Sequence, residues 1–340
     1  MLSEEVTQED WMGHVRGFTS IVLAHGPDAY KEGIAHDLLL SCRPSIIVGA
    51  LNQKKRCFLG EDAWLSTPWT HMSKTEYERL IDCMALLPNL FSDWYQADAL
   101  PLPEQRIPQW KALVRQTWDL HARLSSWYDN FSSRLADLTV IPTTIDSNFS
   151  DACGRGSFPG SFRFQTIRSA NLYMIYCAVH LIVYNLLNHA YNTIEGIDAK
   201  CISIAPCNPA ALRCYDCLTK ARLSVDPGYY SCDCGWIQEQ PKSDVSDLPP
   251  LLPHHSPDAM ARRVCMSLQY CLTRSKVVGS YITLWGLKMA IGHFTTNLPK
   301  TKNELAWCLE VLNLLEQSGL SFCKNMLNTY GGRPYGGFAG

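Results

Sequence analysis

The stretch that decides the fold is Ala170-Asn171-Leu172-Tyr173-Met174-Ile175-Tyr176-Cys177-Ala178-Val179-His180-Leu181-Ile182-Val183-Tyr184-Asn185-Leu186-Leu187. It is apolar around its whole circumference, so as a helix it must be covered on every side. It is also near the shortest length that spans a bilayer. Asn171, His180 and Asn185 interrupt it, at a cost that lipid does not repay. No second span accompanies it in the sequence. The reading is a buried central helix, from Phe162 to about Asn192, surrounded by other helices.

Those helices are visible on both sides. Upstream, Val15, Phe18, Val22 and His25 follow helical spacing, and Gly26-Pro27 ends the segment. A second helix is expected over Ala29–Arg43, with Tyr30, Ile34 and Leu38 on one face. Pro44 should interrupt it, with Ser45–Gln53 continuing. Phe58–Trp69 holds Gly60 and Pro68 and reads as a turn-rich connector. Ser73-Lys74-Thr75-Glu76 has the form of a capping box, followed by a stripe of Tyr77, Leu80, Ile81, Met84 and Leu87 that Pro88 should end. Glu104–Leu138 keeps the helical period through Trp110, Leu113, Val114, Thr117, Leu120, Leu124 and Trp127.

Downstream, helices are expected near Asp258–Arg274, Val278–Phe294 and Lys302–Gln317, with a short one after Gly319. Between them lie a Gly/Ser/Asn-rich loop over Thr143–Ser161 and a cysteine- and proline-rich insert. No strand alternation and no internal repeat is found. The expected fold class is all-α: a large domain of antiparallel helices. It occupies residues 1–330, with an irregular insert over 197–257 and a flexible tail over 331–340.

Composition agrees with a packed domain. The 340 residues are 46% hydrophobic, 11% aromatic and 18% charged, which is the opposite of a disordered chain. The net charge of −2 supplies no bulk attraction for nucleic acid or anionic membrane. The first ten residues are acidic and carry no apolar run, so they do not read as a signal peptide. The 15 cysteines are then expected to be reduced thiols, small buried hydrophobes or metal ligands.

The sharpest chemical feature is a cysteine cluster: Cys201, Cys207, Cys214, Cys217, Cys232 and Cys234. Cys214-x-x-Cys217 has the spacing that lets two thiolates reach one tetrahedral zinc ion. Cys232-x-Cys234 follows after 14 residues, with a tighter gap. Cys214, Cys217, Cys232 and Cys234 are therefore the candidate ligands of a structural zinc, against incidental thiols in a loop. No catalytic residue and no other cofactor site is indicated. A nucleophile elbow, a phosphate loop, a His-Glu-x-x-His pair and a paired-aspartate motif for magnesium–diphosphate chemistry are all missing from the sequence. His14, His25, His36 and His180 fall in helical patterns and read as core or interface residues rather than catalysts. Trp64, Trp69, Trp94, Trp285 and Trp307 are candidate walls of an effector pocket or ordinary core.

Several motifs, in order, resemble the regulatory domain of fungal zinc-cluster transcription factors. They are His14-Val15-Arg16-Gly17-Phe18, Gly26-Pro27, Gly33–Leu39, Arg43–Ala50, Lys55–Gly60 and Trp64-Leu65-Ser66-Thr67-Pro68-Trp69. Leu86–Leu90, Phe162-Arg163-Phe164, Ala261–Leu272 and Glu304–Cys308 continue the likeness. It covers about residues 10 to 325.

The resemblance implies a nuclear transcription regulator, with the cytoplasm as alternative site. It would not be an enzyme, and would act on a metabolic or secondary-metabolite gene set. It implies protein partners in the transcription machinery, a DNA-binding partner or a second copy, and no membrane. The likeness starts inside the regulatory domain, without the six-cysteine DNA-reading module of that family. Weak, non-specific binding to free duplex DNA is the corresponding expectation. The alternatives are a biosynthetic enzyme on an all-α scaffold and a zinc-stabilised interaction module.

Overall fold

The computed structural model describes residues 8–101, 103–132, 140–141, 158, 161–204, 245–274, 281–317, 320 and 322–331. Ten α-helices carry the fold among these residues: α1 (Gln8–His25), α2 (Gly33–Gln53), α3 (Asp62–Ser66), α4 (Glu76–Asp98), α5 (Pro103–Ser132), α6 (Ile167–Ile204), α7 (Pro257–Arg274), α8 (Tyr281–Thr296), α9 (Lys302–Gln317) and α10 (Phe322–Gly331). With 81% of these residues helical, the fold is all-α. The extended pairing described is a two-residue antiparallel contact, Val140 with Phe162 and Ile141 with Ser161.

The decisive stretch lies in α6, and it is buried as its composition demands. Tyr173, Met174, Cys177, Ala178, Val179, Val183 and Leu187 are fully covered. α4, α5, α7 and α8 pack around α6, α2 packs on α1 and α4, and α9 lies between α8 and α10. By length and composition α6 and Gly33–Asn52 of α2 could each cross a membrane. The apolar window of α6 is 89% buried within the fold and that of α2 only 50%. The second candidate span escaped the sequence reading because Arg43 and Pro44 break up its apolar run.

The two prolines expected to end helices, Pro44 and Pro88, are accommodated within them, as is Pro108 within α5. Pro44 lies inside α2 and Pro88 inside α4. Each removes one N–H from the ladder, but packing on both sides keeps the helix continuous. The capping box is displaced from the expected one. Thr75 is the N-cap, and its backbone N–H donates to Glu78 Oε2 at 2.8 Å. The connector over Phe58–Trp69 is two 3₁₀ turns flanking α3.

The apolar faces of the first two helices also differ from expectation. Val15 and Val22 are buried, but Phe18 is 40% exposed and His14 and His25 face solvent. On α2, Ile34 (88%) and Leu38 (41%) are exposed, and His36, Leu39, Arg43 and Ile47 form the buried side. A second helix crossing closely explains this. A Cβ on Gly49 would lie 2.5 Å from Val15 Cγ1, so the face bearing Gly49 takes α1. The expected Gly/Ser/Asn-rich loop, apart from Phe158 and Ser161, lies outside the described residues. So do residues 205–244 of the insert expected over 197–257 and 332–340 of the tail expected over 331–340, whereas 197–204 continue α6 beyond the expected end near Asn192, and Gly331 closes α10.

Candidate functional site

Two clusters stand out, and the first is a seam along one face of α4. Asp82, Ala85, Asn89 and Asp93 follow one another at helical spacing. Each receives a group from the preceding third of the chain. The Arg43 guanidinium, 2% exposed, donates to Asp82 Oδ1, and Lys74 Nζ donates to Asp82 Oδ2. Gly60 approaches so closely that a Cβ there would meet the Ala85 carbonyl oxygen at 2.5 Å. Asn89 Oδ1 accepts the Cys57 backbone N–H at 2.8 Å. Arg56 pairs with Asp93 at the exposed end.

Trp69 closes this seam. Arg43 Cζ lies 5.2 Å and Lys74 Nζ 5.0 Å from its ring centroid, within cation–π range. His36 meets it edge-on at 5.0 Å. The Nδ1–H of His36 donates to the Tyr30 carbonyl at 2.8 Å, which orients the ring. With two cations sharing one carboxylate, the seam's chemistry is that of a positional lock.

The second cluster is a group of imidazoles where α5, α6 and the segment Val245–Ser256 meet. His121 Nδ1 lies 3.1 Å from His180 Nε2, so one nitrogen donates and the other accepts. The His255 ring packs 5.3 Å from His121, 4.9 Å from Trp118 and 5.5 Å from Tyr184. His255 Nδ1 accepts the Leu252 N–H at 3.1 Å. Burial pushes His180 down to about 3 and His255 down to about 4, and also lowers His121. At neutral pH the three rings are uncharged and pack as aromatics. Their nitrogens do not converge on a point, and among the described residues no three His, Cys, Asp or Glu side chains could hold a metal ion.

The candidate zinc ligands Cys214, Cys217, Cys232 and Cys234 lie outside the described residues. Eight other cysteines, Cys42 and Cys57 among them, are free thiols and all buried, as small hydrophobes are. Burial pushes Cys57 up to about 11 and Cys83, Cys177 and Cys271 up to about 12, so they stay protonated at neutral pH. The candidate tryptophans do not come together. Trp64 packs on Phe58 (4.7 Å), Trp94 on Trp110 (4.8 Å) and Trp307 on Phe158 (4.9 Å).

Helical spacing marks His180 as a core residue but does not join it to His121 and His255. Its partners are remote in sequence, and the available signal was the place of His121 between Thr117 and Leu124 on the buried stripe of α5. Compared with known proteins, the chain matches no family model, no curated protein and no solved structure.

Proposed function

We propose that this chain is the helical regulatory domain of a transcription regulator of the fungal zinc-cluster type, acting in the nucleus through protein partners. The observation that carries the reading is the α4 seam. Arg43, Lys55–Gly60, Pro68-Trp69 and Leu86–Leu90 belong to the ordered fragments that carry the resemblance. Arg43, Arg56, Cys57, Gly60 and Asn89 interlock on α4, with Trp69 stacked against Arg43. Fragments that share one packed unit support a common origin better than the same fragments scattered over a surface.

Action through partners is supported by where apolar side chains remain exposed. Of the nine large apolar side chains exposed among the described residues, five, Phe18, Ile21, Leu23, Ile34 and Leu38, lie on α1 and α2, at 40–88% exposure. Concentrated exposed apolar side chains mark interaction surfaces. A partner protein, either a DNA-binding protein or a second copy, is the reading for that surface. Control of a metabolic or secondary-metabolite gene set is part of the same proposal and comes from the resemblance.

The test is to fuse the chain to a heterologous DNA-binding module upstream of a reporter gene. The regulator reading expects transcript output to depart from that of the module alone. Unchanged output from a well-expressed, nuclear fusion contradicts it.

A further inference from the structure

The segment Val245–Ser256 runs across α5 and α6 before α7 begins, and is held there by a short set of contacts. Asp247 pairs with Lys111 at 2.9 Å and with Arg115, both on α5. Leu248 is buried. The Tyr191 hydroxyl of α6 donates to the Pro249 carbonyl and accepts the Trp118 indole N–H at 3.2 Å. His255 inserts against Trp118, His121 and Tyr184.

The imidazoles in this contact use their lone pairs. His255 Nδ1 accepts from the Leu252 N–H, so its proton sits on Nε2. A second proton would go onto Nδ1 and set two donors face to face, breaking the turn that positions the ring. The His121–His180 contact holds one N–H and one lone pair, so it tolerates one added proton, and only protonation of both rings sets N–H against N–H.

Among the described residues nothing nearby takes up the added charge. The groups facing the cluster are His121 from α5, Tyr176, His180 and Tyr184 from α6, Arg263 from α7 and His254 from the segment itself. Among the described residues facing it there is no carboxylate. Asp247, at the other end, is engaged by Lys111 and Arg115. α5 and α6 are anchored throughout the core, whereas the described attachments of the segment run through Asp247, the Pro249 carbonyl and His255, with Val245, Leu248 and Leu251 packed on the core.

We propose that Val245–Ser256 is an acid-released strap, in which proton uptake by the His121–His180–His255 cluster frees the segment from α5 and α6 while the helical core stays folded. The released face would present Trp118, His121 and Tyr184. This inference does not depend on the transcription reading. Each proton taken up only when the strap opens raises the opening equilibrium about tenfold per pH unit below the free imidazole value of about 6.5.

Hydrogen exchange on the full chain, corrected for the intrinsic pH dependence of exchange, tests this at pH 7.5 and pH 5.5. The expected result is at least a tenfold loss of protection in amides of 245–256, with amides of Ala178–Leu187 unchanged. His255→Gln, which can accept from Leu252 but cannot ionise, should blunt that loss, and so should His255→Phe, which keeps the ring. Unchanged strap protection in the wild type overturns the proposal. Parallel loss in the α6 core overturns it too, since the event would then be global unfolding. An undiminished loss in both folded variants has the same consequence. If neither variant shows α6 protection at pH 7.5, the wild-type comparison of strap with core decides alone.

Discussion

The side chain of Asn89 accepts the backbone N–H of Cys57 at 2.8 Å, joining the middle of α4 to the chain just before the Phe58–Gly60 turn. One turn earlier on α4, the Ala85 carbonyl oxygen leaves room for Gly60 and for nothing larger. Asn89→Ala strands a buried donor and should cost about 1–3 kcal/mol. Gly60→Ala must push the turn off α4 and should cost about 1–3 kcal/mol. Chemical denaturation of both variants checks this, and a change under about 0.5 kcal/mol in each, the range of ordinary surface substitutions, would dissolve the seam.

The Arg43–Asp82 pair should behave as a buried ion pair. Asp82→Ala leaves Arg43 charged and unpaired, with an expected loss of about 3 kcal/mol. Arg43→Met combined with Asp82→Leu should recover part of it, because the Arg43 charge is gone while Lys74 still loses the shared carboxylate. A double-mutant cycle by denaturant titration measures the coupling. Simple additivity of the two single changes would show that the pair carries no special energy.

Acid should destabilise the protein through its buried imidazoles. His180 is held down to about 3 and His255 down to about 4 in the fold, against about 6.5 in the unfolded chain. The unfolded state therefore binds more protons between those values. The stabilising term is fully present above pH 6.5 and is lost as pH falls toward 4 and then 3. Each such proton contributes a slope of about 1.4 kcal/mol per pH unit. Unfolding free energies at pH 7 and pH 5 should differ by more in the wild type than in His180→Phe, and equal differences would exclude His180 as a source.

The eight buried thiols should be silent in the native protein. Cys177 is fully covered on α6 and Cys83 and Cys271 are pushed up to about 12, so neither access nor thiolate is available. Alkylation at pH 8 followed by peptide mapping should label these positions only after denaturant is added. Rapid native labelling of Cys177 would show that α6 is not the buried centre described here.

Much of the architecture was legible because it rests on one-dimensional signals. The apolar run of α6 could only be buried, and Lys302–Gln317 matched its helix because Leu305, Cys308, Val311, Leu312 and Leu315 repeat at helical spacing. What escaped is three-dimensional. Pro44 and Pro88 are helix breakers by local rule, yet tertiary packing carries both helices through them. Ile34 and Leu38 looked like a core face, but α1 and α4 claim the other side of α2. The candidate site divides in the same way. Arg43, Gly60 and Trp69 were named individually, but nothing in their spacing shows that Asp82, Ala85 and Asn89 line up to receive them. The imidazole cluster joins residues 59 positions apart in one pair alone, and no local pattern reports such a contact.

The central claim is that the interlocked helical domain acts on transcription through partners. Its most direct measurement is reporter transcript from a promoter-tethered fusion, taken side by side for the wild type and for Gly60→Ala, with fusion abundance and nuclear content matched. The account predicts output that departs from the DNA-binding module alone in the wild type and returns toward it when the seam is opened. Wild-type output equal to that of the module alone, from an equally abundant nuclear fusion, would contradict it.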